Sequence, residues 1–245
     1  MPINDYKEIT IPEGSVKKIE DSDGNIIWGS QSAFPYRRLE YIKFSGAEYI
    51  NTNTSLPSGT AYKRLDLRIS LQKTTGWGSN GYDSNTNKRF FMGVNGSNNA
   101  RFGTGSSGTN SSGWTLATDY KYYWTLWFNN GSTNMTVADD ATGTELWKSS
   151  TLSVTFSAAP GNLYIGALNY DNSINNYAQE KIYYARIASN SYGNRLFNGI
   201  PCQRKSDGVC GLYDTQNNIF RPMQGTNITD AAAGPVIDEY WDLTA

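Results

Sequence analysis

Between residues 64 and 71 the chain alternates strictly, with Leu65, Leu67, Ile69 and Leu71 on one side and Asp66, Arg68 and Ser70 on the other. Successive side chains of an extended strand point to opposite faces, so a period of two predicts a half-buried β-strand whose leucine side lies on a core. The same signature recurs in shorter pieces. Residues 36–44, 47–51, 89–94, 100–103, 122–129, 134–138, 144–148, 163–168 and 181–188 read as strands, separated by Gly- and Asn-rich turns at 95–99, 129–131, 139–143 and 169–175. Helical periodicity has almost no room. Short strands of even spacing joined by polar turns predict an all-β, two-sheet antiparallel sandwich. The abundance of Tyr, Trp, Phe and Thr, with charged residues at only 18%, agrees with that reading.

The 245 residues suffice for one such sandwich with short appendages. We expect an N-terminal hairpin and linker over residues 1–33, the sandwich over 34–225 and a tail over 226–245. The hairpin alternates extended runs with a Pro-Glu-Gly turn at 12–14 and a Ser-Asp-Gly-Asn turn at 22–25. A lone hairpin is marginal in water, so Ile9, Ile11, Val16, Ile19, Ile26, Ile27 and Trp28 need a surface to bury against. That surface is either their own sandwich or another protein, and the linker Gly29-Ser30-Gln31-Ser32-Ala33 favours docking to another protein. Residues 74–87 and 103–113 are so rich in Gly, Ser, Thr and Asn that they read as loops. The tail has no evident strand and leaves Val236, Ile237, Tyr240 and Trp241 in need of a partner surface.

The chain has no histidine, which removes Ser-His-Asp and Cys-His nucleophilic catalysis, histidine acid–base chemistry and His-containing metal sites. A net charge of −1 with scattered basic residues offers no long-range attraction for nucleic acid. No run approaches the roughly 18 apolar residues that span a bilayer, and the opening Met1-Pro2-Ile3-Asn4-Asp5 lacks the basic and apolar regions of an export signal. A soluble protein made in the cytoplasm is the expectation. Cys202 and Cys210 flank the turn at 205–208; a disulfide across that hairpin is geometrically open, but two free, half-buried thiols suit such a compartment better.

Sugar binding needs aromatic faces rimmed by amide, carboxylate and hydroxyl groups. Trp77, Tyr82 and Trp114 fall in the Gly- and Asn-rich stretches rather than in alternating strands, with Asn80, Asp83 and Asn85 beside two of them. These residues are the candidate glycan site; the competing reading is that the rings cap the ends of the sandwich. Trp124, Trp127, Phe128 and Trp147 lie in strand-like runs and most are expected in the core.

The segment RLFNGIPCQRKSDGVCGLYDTQNNIF (195–220) resembles a signature of tailed-bacteriophage and prophage structural proteins that carry a concanavalin A-like, or laminin-G-like, jelly roll. The runs VKKIEDSDGNIIW (16–28) and YRRLEYIKFSGAEYINTN (36–53) resemble the N-terminal element and the domain opening of such proteins. YYWTLWFNNGSTNMTVADDATGTELW, GNLYIGALN and KIYYARIA are similar to their consecutive strands, so the resemblance spans roughly residues 36–225. It implies a non-enzymatic virion protein of the head, tail or baseplate, made in the bacterial cytoplasm and assembled with other virion proteins as a homo-oligomer. It also implies adhesion to host or mucosal glycans. Two alternatives are a purely structural virion protein without a ligand and a polysaccharide depolymerase; the E-x-D-x-x-E spacing of concanavalin A-like hydrolases of the laminarinase group is absent. No cofactor is expected. Laminin-G-like domains commonly take calcium, for which Asp171 with Asn169 and Asn172, or Asp139 with Asp140, would supply some oxygens.

Overall fold

The computed structural model describes residues 18–20, 26–29, 35–73, 78–84, 87–156, 160–191 and 193–238. In chain order the strands are β1 (Lys18–Glu20), β2 (Ile26–Gly29), β3 (Tyr36–Leu39), β4 (Ile42–Ser45), β5 (Ile50–Asn51), β6 (Lys63–Leu71), β7 (Gly78–Asp83), β8 (Arg89–Val94), β9 (Asn99–Gly105), β10 (Ser107–Thr115) and β11 (Tyr122–Asn129). They continue with β12 (Ser132–Asp139), β13 (Glu145–Lys148), β14 (Leu152–Ser153), β15 (Tyr164–Ile165), β16 (Leu168–Tyr170), β17 (Ser173–Asn175), β18 (Gln179–Ser189), β19 (Arg195–Arg204), β20 (Cys210–Asp214), β21 (Ile219–Pro222) and β22 (Val236–Asp238). No helix long and apolar enough to cross a membrane occurs among the described residues.

β1 and β2 pair with Ile19 opposite Trp28, which is the expected hairpin. Only the backbone of Ile19, Ile26, Ile27 and Trp28 is described, and Ile9, Ile11, Val16, Tyr240 and Trp241 lie outside the described residues. The other strands form two sheets, one of eight strands running β10-β9-β8-β7-β15-β5 and one of twelve running β13-β12-β11-β6-β18-β19-β20-β21, each with short strands attached at its side. Pairing is antiparallel except between β16 and β7. This is the two-sheet jelly-roll sandwich.

The alternating segment lies inside the larger sheet as β6, flanked by β11 and β18, with Leu67 opposite both Trp124 and Ala185. Leu65, Leu67 and Ile69 are wholly buried, together with Leu126, Ile182 and Ile187 of the same sheet. They meet Phe90, Met92, Phe102 and Ile165 of the facing sheet in one apolar cluster. Trp124 and Phe128 belong to that cluster and Trp147 packs at its margin. Trp127 alternates with them along β11 and turns to the other face.

The structure corrects three sequence-based expectations. The stretches read as loops contain β7 and the β9–β10 hairpin, and all six residues of β7 are buried. Polarity hid β7 because Ser79 and Asn80 are both buried while neither is apolar. Glycines in these stretches are packing residues: a Cβ on Gly81 of β7 would strike the Phe90 carbonyl oxygen, and one on Gly103 of β9 would enter the Phe91 ring. Gly81 also has φ +129°, which a side chain disfavours. Gly81→Ala is therefore expected to destabilise the fold by about 3 kcal/mol or more, measured from the urea midpoint. Gly193→Ala, where nothing lies within 4 Å, should leave that midpoint nearly unchanged.

The second correction concerns the tail. β22 pairs with β3, and Lys43 N–H donates to the Ala232 carbonyl. Ile228 and Ala232 pack on the core, while Val236 and Ile237 stay exposed. Buried Glu48 ties this return to the sheet, accepting hydrogen bonds from Ser45 N and Oγ, Thr226 Oγ1, and Asn227 N and Nδ2. Burial raises the Glu48 pKa, but these donors outweigh it and hold the carboxyl below its ordinary value.

The third concerns the cysteines. Cys210 stands opposite Gln203 and Cys202 opposite Gly211, so the two side chains fall on opposite faces of the sheet. Cys202 packs with Tyr213, whereas Cys210 enters the core between the sheets. Both are free thiols, and they are fully rather than half buried. No disulfide can join them without turning one strand over.

Candidate functional site

Where the ends of β6 and β8 meet the starts of β7 and β18, the sandwich leaves a cavity of about 200 Å³. Leu71, Val94 and Ala178 supply apolar wall, and Lys73, Asn98, Tyr177, Gln179 and Glu180 supply polar groups. Two glycines shape it. A Cβ on Gly78 would crowd the Ala178 backbone, and one on Gly46 would displace the Gln179 amide. Asn98, in the left-handed region at φ 55°, is held by donating Nδ2 to the Lys73 carbonyl at 2.6 Å.

Glu180 is the chemically distinctive residue of the lining. It sits two positions before Ile182 and points between the sheets at a core position, 3% exposed. Its Oε1 accepts a hydrogen bond from Asn80 Nδ2 at 2.9 Å, and Asn80 Oδ1 in turn accepts from the Gly166 N–H at 2.6 Å. Asn80 thus fixes the acid from the opposite sheet. Burial pushes the Glu180 pKa up to about 7, a rise that the Asn80 hydrogen bond only partly offsets. Oε2 accepts no hydrogen bond from the described residues. Near neutral pH this group is present as both acid and carboxylate, able to donate to one hydroxyl and accept from another. Tyr177 stands at the margin of the cavity within an aromatic group, edge-on to Tyr49 at 6.5 Å, while Tyr49 stacks on Tyr164 at 5.1 Å.

Of the residues proposed from the sequence, the structure places Asn80, Tyr82 and Asp83 on β7 and Trp114 on β10. Trp77 and Asn85 lie outside the described residues. Asn80, Tyr82 and Asp83 belong to buried β7 rather than to a loop: Asn80 holds Glu180, Tyr82 donates its hydroxyl to Asp171, and Asp83 accepts from Arg89 Nε at 2.9 Å. Trp114 packs edge-on against Tyr122 at the core margin. What reading the sequence missed is the 177–180 segment. Extending the strand pattern two residues back from Ile182 puts an acid at a core position, and that is the available signal.

The oxygens considered for calcium are engaged in turns. Asp139 accepts from Thr142 N and Oγ1 and from the Tyr120 hydroxyl, Asp140 pairs with Arg68, and Asn169 Oδ1 accepts from Asn172 N. Among the described residues no group of three or more acidic, Cys or His side chains gathers.

These features define a concanavalin A-like jelly roll with a polar cavity between its sheets. No protein-family model matches the sequence, and no curated protein matches it. Solved structures do share its architecture. A candidate carbohydrate-binding protein from Bacteroides ovatus superposes with a TM-score of 0.52 at 13% identity over 81% of this chain. This chain spans 62% of that protein's length. The LG1-3 region of the laminin alpha2 chain gives 0.45 at 12% identity, covering 74% of this chain and 39% of that one. Tailspike protein 2 of an Escherichia coli O157:H7 bacteriophage gives 0.40 at 10% identity, covering 62% and 23%.

Proposed function

We propose that this chain is a non-enzymatic glycan-adhesion module, with a saccharide seated at the Glu180 cavity. The observation that carries the reading is a nearly buried carboxyl group, fixed by Asn80 and with one oxygen unengaged by the described residues, lining a polar cavity beside the Tyr177 aromatic group. Glu180, Asn98, Gln179 and Lys73 offer the donors and acceptors that sugar hydroxyls require, and the Tyr177 ring offers a face for the C–H side of a pyranose. Carboxylate-pair hydrolysis requires two acids about 5 to 9.5 Å apart, and the cavity lining holds one. That favours binding over depolymerisation.

The carrier in this reading is a tailed-phage particle, supported by the sequence resemblance at both ends of the domain. The β1–β2 hairpin docks to other virion proteins, the assembly is a homo-oligomer, and synthesis is in the bacterial cytoplasm. Screening the full chain on a glycan array, then titrating its best ligand by calorimetry, tests the adhesion reading. Tyr177→Ala and Glu180→Gln should each weaken binding about tenfold. Absence of any bound saccharide would leave the purely structural role, whereas unchanged affinity in both variants would overturn the Glu180 cavity as the seat of the sugar. Mass spectrometry of purified particles tests the carrier: a virion lacking this polypeptide overturns it.

A further inference from the structure

The larger sheet carries a second constellation on the side turned away from the core. Asp66 is the hub. It accepts from Arg64 Nε at 2.8 Å, Arg186 Nη2 at 2.7 Å, Thr125 Oγ1 at 2.8 Å and the Tyr123 hydroxyl at 3.0 Å. Register makes this a continuous surface: Thr125 and Arg186 flank Asp66, Tyr123 and Tyr184 flank Arg68, and Trp127 stands opposite Arg64 on one side and Asn134 on the other.

Charge is unbalanced there. Arg68 pairs with Asp140 at 3.1 Å while remaining half exposed; burial raises the Tyr184 pKa, and Arg186, Arg195 and Arg68 lie near enough to oppose that rise while Asp66 adds to it. Among the described residues Arg64 and Arg186 pair with Asp66 and Arg68 pairs with Asp140, while Arg195, exposed at the start of β19 near Tyr184, adds a fourth guanidinium to this side. The tyrosines and Trp127 are part exposed beside them. A further observation is independent of charge. Asn134 is 2% exposed, lies beside Trp127 on this face, and its Oδ1 has no hydrogen-bond partner among the described residues. A buried acceptor without a donor is unfavourable until a ligand hydroxyl supplies one.

We infer that this outer face is a second binding surface, specific for a glycan that bears carboxylate groups. Guanidinium groups take a carboxylate in paired hydrogen bonds, the aromatic rings take the apolar side of the sugar, and Asn134 takes a hydroxyl. The surface shares no residue with the Glu180 cavity, so it stands or falls separately from the adhesion site proposed there.

The probe is trigalacturonate, titrated by calorimetry into the full chain, with galactotriose as its uncharged counterpart. Trigalacturonate should bind at least about tenfold more tightly, and the double variant Arg68→Gln/Arg195→Gln should lose about tenfold of that affinity while melting like the parent. Asn134→Ala should weaken both sugars together. Tyr177→Ala, in the cavity, should leave trigalacturonate binding unchanged. Equal affinity for the two sugars overturns the inference, as does an unaffected double variant or loss of binding in Tyr177→Ala. Equally tight binding of a single-stranded DNA of matched charge also overturns it, because the face would then be a generic polyanion surface.

Discussion

Asp66→Ala is expected to lower the unfolding free energy by about 3–5 kcal/mol, the largest effect of any side-chain truncation considered for this molecule. The carboxylate is wholly buried and neutralises Arg64 and Arg186, whose side chains are 19% and 7% exposed. Removing it takes the carboxylate partner from both guanidinium groups and leaves Thr125 and Tyr123 without their shared acceptor. Urea unfolding followed by tryptophan fluorescence measures the loss. The double variant Asp66→Ala/Arg186→Met should regain part of it, because the more deeply buried charge disappears with its partner. A single-variant loss below about 1 kcal/mol would show that solvent already compensates the arginines, as it does for surface pairs.

Glu180→Gln should do the opposite, and only above acidic pH. The folded protein holds the Glu180 proton more tightly than the unfolded chain, with a pKa of about 7 against an ordinary 4.5. The stabilisation linked to that proton is complete below pH 4.5 and is lost as pH rises through about 7. Glutamine keeps the acceptor for Asn80 and has no charge to desolvate. The variant should match the parent near pH 4 and exceed it at pH 8 by up to about 3 kcal/mol, read as the difference between two urea curves. Taking the difference removes other titrations. Lys63, buried against the Phe128 and Phe156 rings and brought down to about 8, acts on both proteins alike, and so does Glu48 at the acid end. A variant no more stable than the parent at pH 8 would mean that the acid is well solvated through the cavity.

Much of the sandwich was legible because an alternating strand records its own burial. Residues 64–71, 89–94 and 122–129 show which side faces the core, and the structure places Leu67, Met92 and Trp124 there. β7 was illegible for a physical reason. Its buried polar atoms are satisfied by distant groups, Asn80 by Glu180 and by Gly166, and no local pattern encodes a partner 100 residues away. β22 escaped for a similar reason: three residues paired to one edge carry too little periodicity to be recognised.

The sequence alone determined the class of fold and closed off histidine chemistry, because strand periodicity and residue inventory are local properties. Its polar, Gly-rich stretch 74–87 read as a loop. Tertiary structure decided everything that depends on which strands become neighbours. It set Cys202 and Cys210 on opposite faces through the Gln203–Cys210 register, and it brought Asn80 beneath Glu180. It also assembled the Asp66 hub from β6, β11 and β18. Register and facing arise only when distant segments pair, and a one-residue slip would turn each of these side chains to the other side.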